Sequence, residues 1–209
     1  MDTLPGPLLI VEDVPNILEL LEVTLRFKGY TVITARNGQE ALELISKEIP
    51  RVVVTDILMP KMDGYTMAYN LRREPQTRHI PIVFLSATYV TPEDKEFALS
   101  LGAVRFLEKP VDTKDFLQTI AEVLSSQPDT SAPPLGEDEF LVGYRKRLEV
   151  KLRHKNTQIL RTERLLETLP TEQRPAFSAL LEEAQEQRDE IQYDLDEIYD
   201  RLEHIQKTG

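Results

Sequence analysis

The run Arg51-Val52-Val53-Val54-Thr55 ends in a carboxylate, Asp56, followed by Ile57-Leu58-Met59-Pro60-Lys61-Met62-Asp63-Gly64. A short β-branched run between turn residues reads as a strand buried on both faces, the situation of a parallel sheet covered by helices. Asp56 then emerges at the carboxyl edge of that strand. Open α/β sheets hold their ligands in the crevice outside that edge.

Three further runs deliver polar side chains to the same edge. Leu8-Leu9-Ile10-Val11 ends in Glu12-Asp13, and Ile82-Val83-Phe84-Leu85 ends in Ser86-Ala87-Thr88. Val104-Arg105-Phe106-Leu107 leads into Glu108-Lys109-Pro110. Three acids, a hydroxyl and a lysine therefore converge from four strand ends. Carboxylates this close repel one another unless a hard cation sits among them, and all-oxygen donors with retained waters suit Mg²⁺. The lysine supplies a point charge and the serine a hydrogen bond, both suited to a phosphoryl group.

At these positions the chain resembles the receiver domain of two-component response regulators, from about Leu8 to Ser125. The resemblance implies that Asp56 is the phosphoacceptor and that Glu12, Asp13, Asp56 and the main-chain carbonyl of Leu58 hold Mg²⁺. It also implies that Ser86 turns toward the phosphoryl group, that Lys109 pairs with it, and that Lys109-Pro110 is cis. Phe106 occupies the position of the family's switch aromatic, and Leu58 and Thr88 lie where phosphoryl lifetime is tuned. Position 12 carries Glu where Asp is common. The implied fold is α/β, a doubly wound five-stranded parallel sheet in the order 2-1-3-4-5; that order comes from the resemblance and not from periodicity.

Periodicity independently gives the alternation of strand and helix. It predicts strands near 8–12, 30–34, 51–55, 81–86 and 104–107, and helices near 15–27, 38–47, 64–73, 92–100 and 113–124. Pro15 and Pro92 suit first helical turns, and Gly29 and Gly102 suit helix ends. Residues 1–125 form the receiver in this reading, and 126–136, with three prolines, a semi-rigid linker. Residues 137–209 change character, toward an all-α antiparallel coiled-coil hairpin.

The first helix of that hairpin has a broken seam: Leu141, Leu148 and Leu169 share a grid with Lys155 and Thr162, accompanied by Arg145, Leu152, Ile159 and Leu166. The second seam is more regular, running Phe177, Leu181, Ala184, Arg188, Ile191, Leu195, Ile198, Leu202 and Ile205 in alternating steps of four and three. Residues 140–169 hold eight Arg or Lys against three Glu, and 171–207 hold eleven acids against four bases. That asymmetry favours a basic helix beside an acidic one. Two helices alone bury little, so a four-helix bundle made by two copies, a homodimer, is expected.

The net charge of −11 disfavours a broad nucleic-acid-binding face. The alternative is a transcriptional or RNA-binding regulator that uses the basic helix 140–169. His154 has basic neighbours and no adjacent carboxylate, which argues against histidine phosphotransfer. The absence of cysteine excludes disulfide and thiol chemistry. No eighteen-residue apolar run and no signal-peptide pattern at the N-terminus are present, so a cytoplasmic protein is expected. The expected function is a phosphorelay response regulator whose partners are a histidine kinase, a second copy and an effector protein. No separate catalytic output domain is expected.

Overall fold

The computed structural model describes residues 6–86, 91–126 and 134–208. Thr88 and most of the proline-rich linker lie outside the described residues. The chain divides into two compact units, Met1–Leu135 and Gly136–Gly209.

In the first unit five strands, β1 (Leu8–Val11), β2 (Val32–Ala35), β3 (Val52–Asp56), β4 (Ile82–Ser86) and β5 (Ala103–Glu108), pair in parallel in the order β2-β1-β3-β4-β5. Helices α1 (Pro15–Phe27), α2 (Gly38–Ile45), α3 (Gly64–Arg73), α4 (Pro92–Ser100) and α5 (Thr113–Ser125) alternate with them. This is the doubly wound sheet expected from the sequence. The central strands β1, β3 and β4 are buried along almost their whole length, whereas the edge strands β2 and β5 are only partly covered. Strand residues two apart share a face. Leu8, Ile10, Val52, Val54, Val83 and Leu85 accordingly pack with Leu18, Leu21 and Leu25 of α1 and with Phe116, Ile120 and Val123 of α5.

Local chemistry sets the helix ends. Thr91 caps α4 with a reciprocal capping box to Asp94, and Pro92 opens its first turn. Asn37, Asp63 and Asp112 cap α2, α3 and α5 by accepting backbone N–H bonds. Strand β2 begins two residues later than the periodicity predicts. Gly29, at φ 86°, turns the chain after α1, and the Tyr30 N–H bonds back to Leu25 O at 3.2 Å. Tyr30 thus belongs to the turn.

Arg72, at the end of α3, is the one buried arginine among the described residues. Its guanidinium donates to the carbonyls of Arg78 (3.0 Å), Ile80 (2.9 Å) and Gly102 (2.8 Å). One side chain thereby ties α3, the approach to β4 and the α4–β5 turn together. Gly102 has φ 80°, and a Cβ there would collide with that guanidinium. Burial depresses the Arg72 pKa to about 10, still leaving it charged at neutral pH.

In the second unit, α6 (Glu137–Thr168) and α7 (Arg174–Thr208) pack together. Tyr199 meets Glu149 at 2.8 Å, Lys155 meets Gln187 at 2.7 Å, and Arg201 pairs with Glu137, so the helices run antiparallel. Every expected seam position, from Leu141 to Leu169 and from Phe177 to Ile205, is buried or half-buried. Burial lowers the Lys155 pKa, and neighbouring Lys151 adds to the effect. Its ammonium nevertheless stays in the seam by bonding Gln187 and Gln158. The seam closes within a single hairpin, so apolar burial along it does not require a second copy.

Candidate phosphoacceptor site

Glu12 and Asp13 follow β1, Asp56 closes β3, Ser86 closes β4 and Lys109 follows β5. Their strands are neighbours in the sheet and all parallel, so their carboxyl ends meet at one edge. Glu12 is fully buried, Ser86 nearly so, and Asp13 and Asp56 are half-buried. Carboxylate oxygens of Glu12, Asp13 and Asp56 all lie within 4.8 Å of one another.

Lys109 links the cluster. Its Nζ is 2.7 Å from Glu12 Oε2 and 2.6 Å from Asp56 Oδ2. The other Asp56 oxygen, Oδ1, accepts the Ile57 N–H at 2.6 Å. The Lys109 backbone N–H donates to Ser86 O at 2.6 Å, and the Lys109-Pro110 peptide is cis. Burial works against the Lys109 charge, but the hydrogen bonds and charges of Asp56 and Glu12 outweigh it and raise its pKa. Burial pushes the Glu12 carboxyl up, Asp56 adds repulsion, and the Lys109 bond opposes both. The site is a tight group of like charges held by one cation.

The β3–α3 loop shapes the mouth. Leu58 lies there, two residues beyond Asp56 and exposed, while Ile57 and Met59 on either side are buried. Lys61 sits in the left-handed region at φ 66°, and Met62 N–H bonds Pro60 O at 2.8 Å across it. Gly64 opens α3 with its N–H on Ile57 O at 2.8 Å. A Cβ at Gly64 would overlap the Asp56 carbonyl oxygen and press on Ile57 and Phe84 at 3.2 Å. Gly64→Ala is therefore expected to destabilise the receiver by about 1–3 kcal/mol, the usual cost of overpacking. Urea denaturation measures this, and an unchanged midpoint would refute the close approach.

Phe106, half-buried on β5, faces Phe84 of β4 with ring centroids 6.4 Å apart. Phe84 meets Tyr65 of α3 edge-on at 5.4 Å, and Tyr65 meets Phe97 of α4 at 5.1 Å. The sequence singled out Phe106 alone; the aromatic row behind it spans two strands and two helices. Its members are spaced 19, 13 and 9 residues apart, so no sequence period announces them.

A family model described as the response regulator receiver domain matches residues 8–121. The chain belongs to this family. The receiver is 39% identical over 124 residues to a protein of Porphyra purpurea named "Probable transcriptional regulator ycf27", covering 59% of this chain and 49% of that one. It is 38% identical over 105 residues to the response regulator PleD of Caulobacter vibrioides (strain NA1000 / CB15N), covering 50% of this chain and 23% of PleD. The chain thus spans half or less of these two relatives. Among solved structures, the chemotaxis response regulator CheY4 of Vibrio cholerae superposes with a TM-score of 0.54 at 33% identity, covering 58% of this chain and all of that one. The receiver match ends before α6 and α7 begin.

Proposed function

We propose that this protein is a two-component response regulator that accepts a phosphoryl group on Asp56 from a histidine kinase and signals through its C-terminal hairpin by dimerisation or protein contact. The bridging of Asp56 and Glu12 by Lys109 carries this reading. A carboxylate held against a cation at the sheet edge, where α/β folds bind ligands, supports Asp56 as the nucleophile.

Three clustered carboxylates form a hard oxygen donor set that fits Mg²⁺. Glu12, Asp13, Asp56 and the Leu58 carbonyl would hold the ion, which when bound neutralises charge on the phosphoryl oxygens. An Asp56 carboxylate oxygen attacks phosphorus in line, forming an acyl phosphate as the bond to the donor imidazole nitrogen breaks. Lys109 turns from the carboxylate pair toward the new phosphoryl oxygens, supplying a charge-assisted hydrogen bond. The Ser86 hydroxyl supplies a second one. Phe84 lies two residues before Ser86 and touches Phe106, so a shift at Ser86 is transmitted by packing along the row to Phe97 on α4. Phe106 has no hydroxyl, so the switch rests on repacking alone. Water later hydrolyses the acyl phosphate. The protein has no separate catalytic output in this reading.

Among the described residues no helix is long and apolar enough to cross a membrane. The test of the proposal is to incubate the chain with acetyl phosphate, with and without Mg²⁺, and to trap the acyl phosphate reductively for peptide mapping. One Mg²⁺-dependent phosphoryl group at Asp56 is expected. Labelling elsewhere, or none, overturns the assignment.

A further inference from the structure

Part of the hairpin's charge lies outside its seam, on the outer faces of both helices. One cross-hairpin ion pair joins an acid of the basic helix, Glu137, to a base of the acidic helix, Arg201. Many of the remaining charges lie on the outer faces. Lys146, Val150, Arg153, Thr157, Leu160 and Arg164 repeat at alternating steps of four and three and are all exposed. They form a heptad stripe turned away from the seam, with no acid in it. On α7, Glu182, Glu186, Asp189, Tyr193, Asp196 and Asp200 repeat with the same steps, also exposed, with no base among them. Each stripe is ~27 Å long.

We propose that these two outer stripes are the surface by which two copies of this chain assemble, α6 of each copy lying on α7 of the other. The inference rests on the reading of the hairpin as an assembling element and names its surface. Helical rotation places both stripes on the same side of the hairpin. The sense of rotation reverses between antiparallel helices, so Lys146, Arg153 and Leu160 on α6 and Glu182, Asp189 and Asp196 on α7, each about 130° from its seam, lean to one common side, while the alternate positions point more nearly straight outward. A two-fold axis along the hairpin then sets cation on anion in both contacts, antiparallel as within each hairpin, and the interface closes on itself. Like-on-like arrangements are disfavoured by repulsion.

The hairpin's own register agrees. Lys155 is level with Gln187. Stepping along both helices from there brings Arg153 level with Asp189, Lys146 with Asp196, and Val150 beside Tyr193. Two cations thus face two anions. Val150, Leu160 and Tyr193 are 38%, 55% and 64% exposed, apolar surface that a second copy would cover. Among the described residues Lys146, Arg153 and Arg164 have no ion-pair partner within the chain, so they are available to one outside it.

The experiment is light scattering on the intact chain and two reversed variants, with helicity checked by circular dichroism. One variant carries Lys146→Glu, Arg153→Glu and Arg164→Glu; the other carries Glu186→Lys, Asp189→Lys and Asp196→Lys. All six positions lie off the seam. A wild-type dimer is expected, with self-association weakened on the order of a hundredfold in each variant alone. The equimolar mixture is expected to recover a dimer, because α6 and α7 of one variant complement α7 and α6 of the other. A wild-type dimer that survives in both variants overturns the surface while leaving hairpin assembly standing. So does a mixture that stays monomeric. A wild-type monomer at every concentration overturns both readings. In that case, salt-sensitive binding of duplex DNA by the wild type, lost in the Lys146, Arg153 and Arg164 variant, would name nucleic acid as the occupant of the cationic stripe.

Discussion

The Asp56→Asn chain takes up no phosphoryl group from acetyl phosphate and keeps its fold. The amide is isosteric with the carboxylate but lacks the anionic oxygen that attacks phosphorus, so no slower route through the same atom remains. Asp56 repels Glu12, and removing that charge leaves Lys109 paired with Glu12 at 2.7 Å. Unfolding free energy should therefore stay within about 1 kcal/mol of wild type, separating lost chemistry from lost structure. Lys109→Ala should behave differently. The nucleophile survives, but a fixed cation beside the transferred charge is gone, and labelling should slow by roughly 10²–10³-fold. Intact-mass time courses measure both. Continued labelling of the Asp56→Asn chain, or a Lys109→Ala rate equal to wild type, contradicts the site as described.

Arg72→Ala should cost roughly 2–4 kcal/mol, read as a shift of the urea midpoint at constant slope. The substitution orphans three carbonyl oxygens, of which Ile80 O is buried, and removes the guanidinium that fills the space beneath Gly102. The cost of burying the guanidinium, visible in its lowered pKa, offsets part of that loss and keeps the figure below the sum of three charged hydrogen bonds. Arg72→Lys should recover less than half, since an ammonium cannot present a planar fork to three separated carbonyls. Neighbouring Arg73, exposed and lying over the Tyr69 ring at 5.4 Å, provides the control, with an expected change under about 0.5 kcal/mol on substitution by Ala. Equal effects at the two arginines would refute the staple.

Much of the receiver was legible in the sequence because its signals are local. A β-branched run ending in a carboxylate specifies a buried strand with a polar tip, and Pro15, Pro92, Gly29 and Gly102 mark element ends by their own chemistry. The strand order came from the resemblance, since no periodicity encodes which strands are neighbours. The hairpin seams followed from the alternation of four and three, down to the half-buried Lys155. The sequence set a basic helix beside an acidic one, as α6 and α7 lie, but not where each charge points. Composition counts a basic helix and an acidic helix, but only angular position decides whether a charge meets the neighbouring helix or faces outward.

The sequence by itself determined the elements, their order along the chain, and which side chains reach the carboxyl edge of the sheet. Tertiary structure alone decided the contacts between residues far apart in the chain. These are the grip of Lys109 on Glu12 and Asp56, the row from Phe106 to Phe97, and Arg72 under Gly102. The physical reason is range. Propensity, capping and hydrophobic period act within a few residues, whereas a salt bridge or ring contact depends on distances set only when the whole sheet has closed.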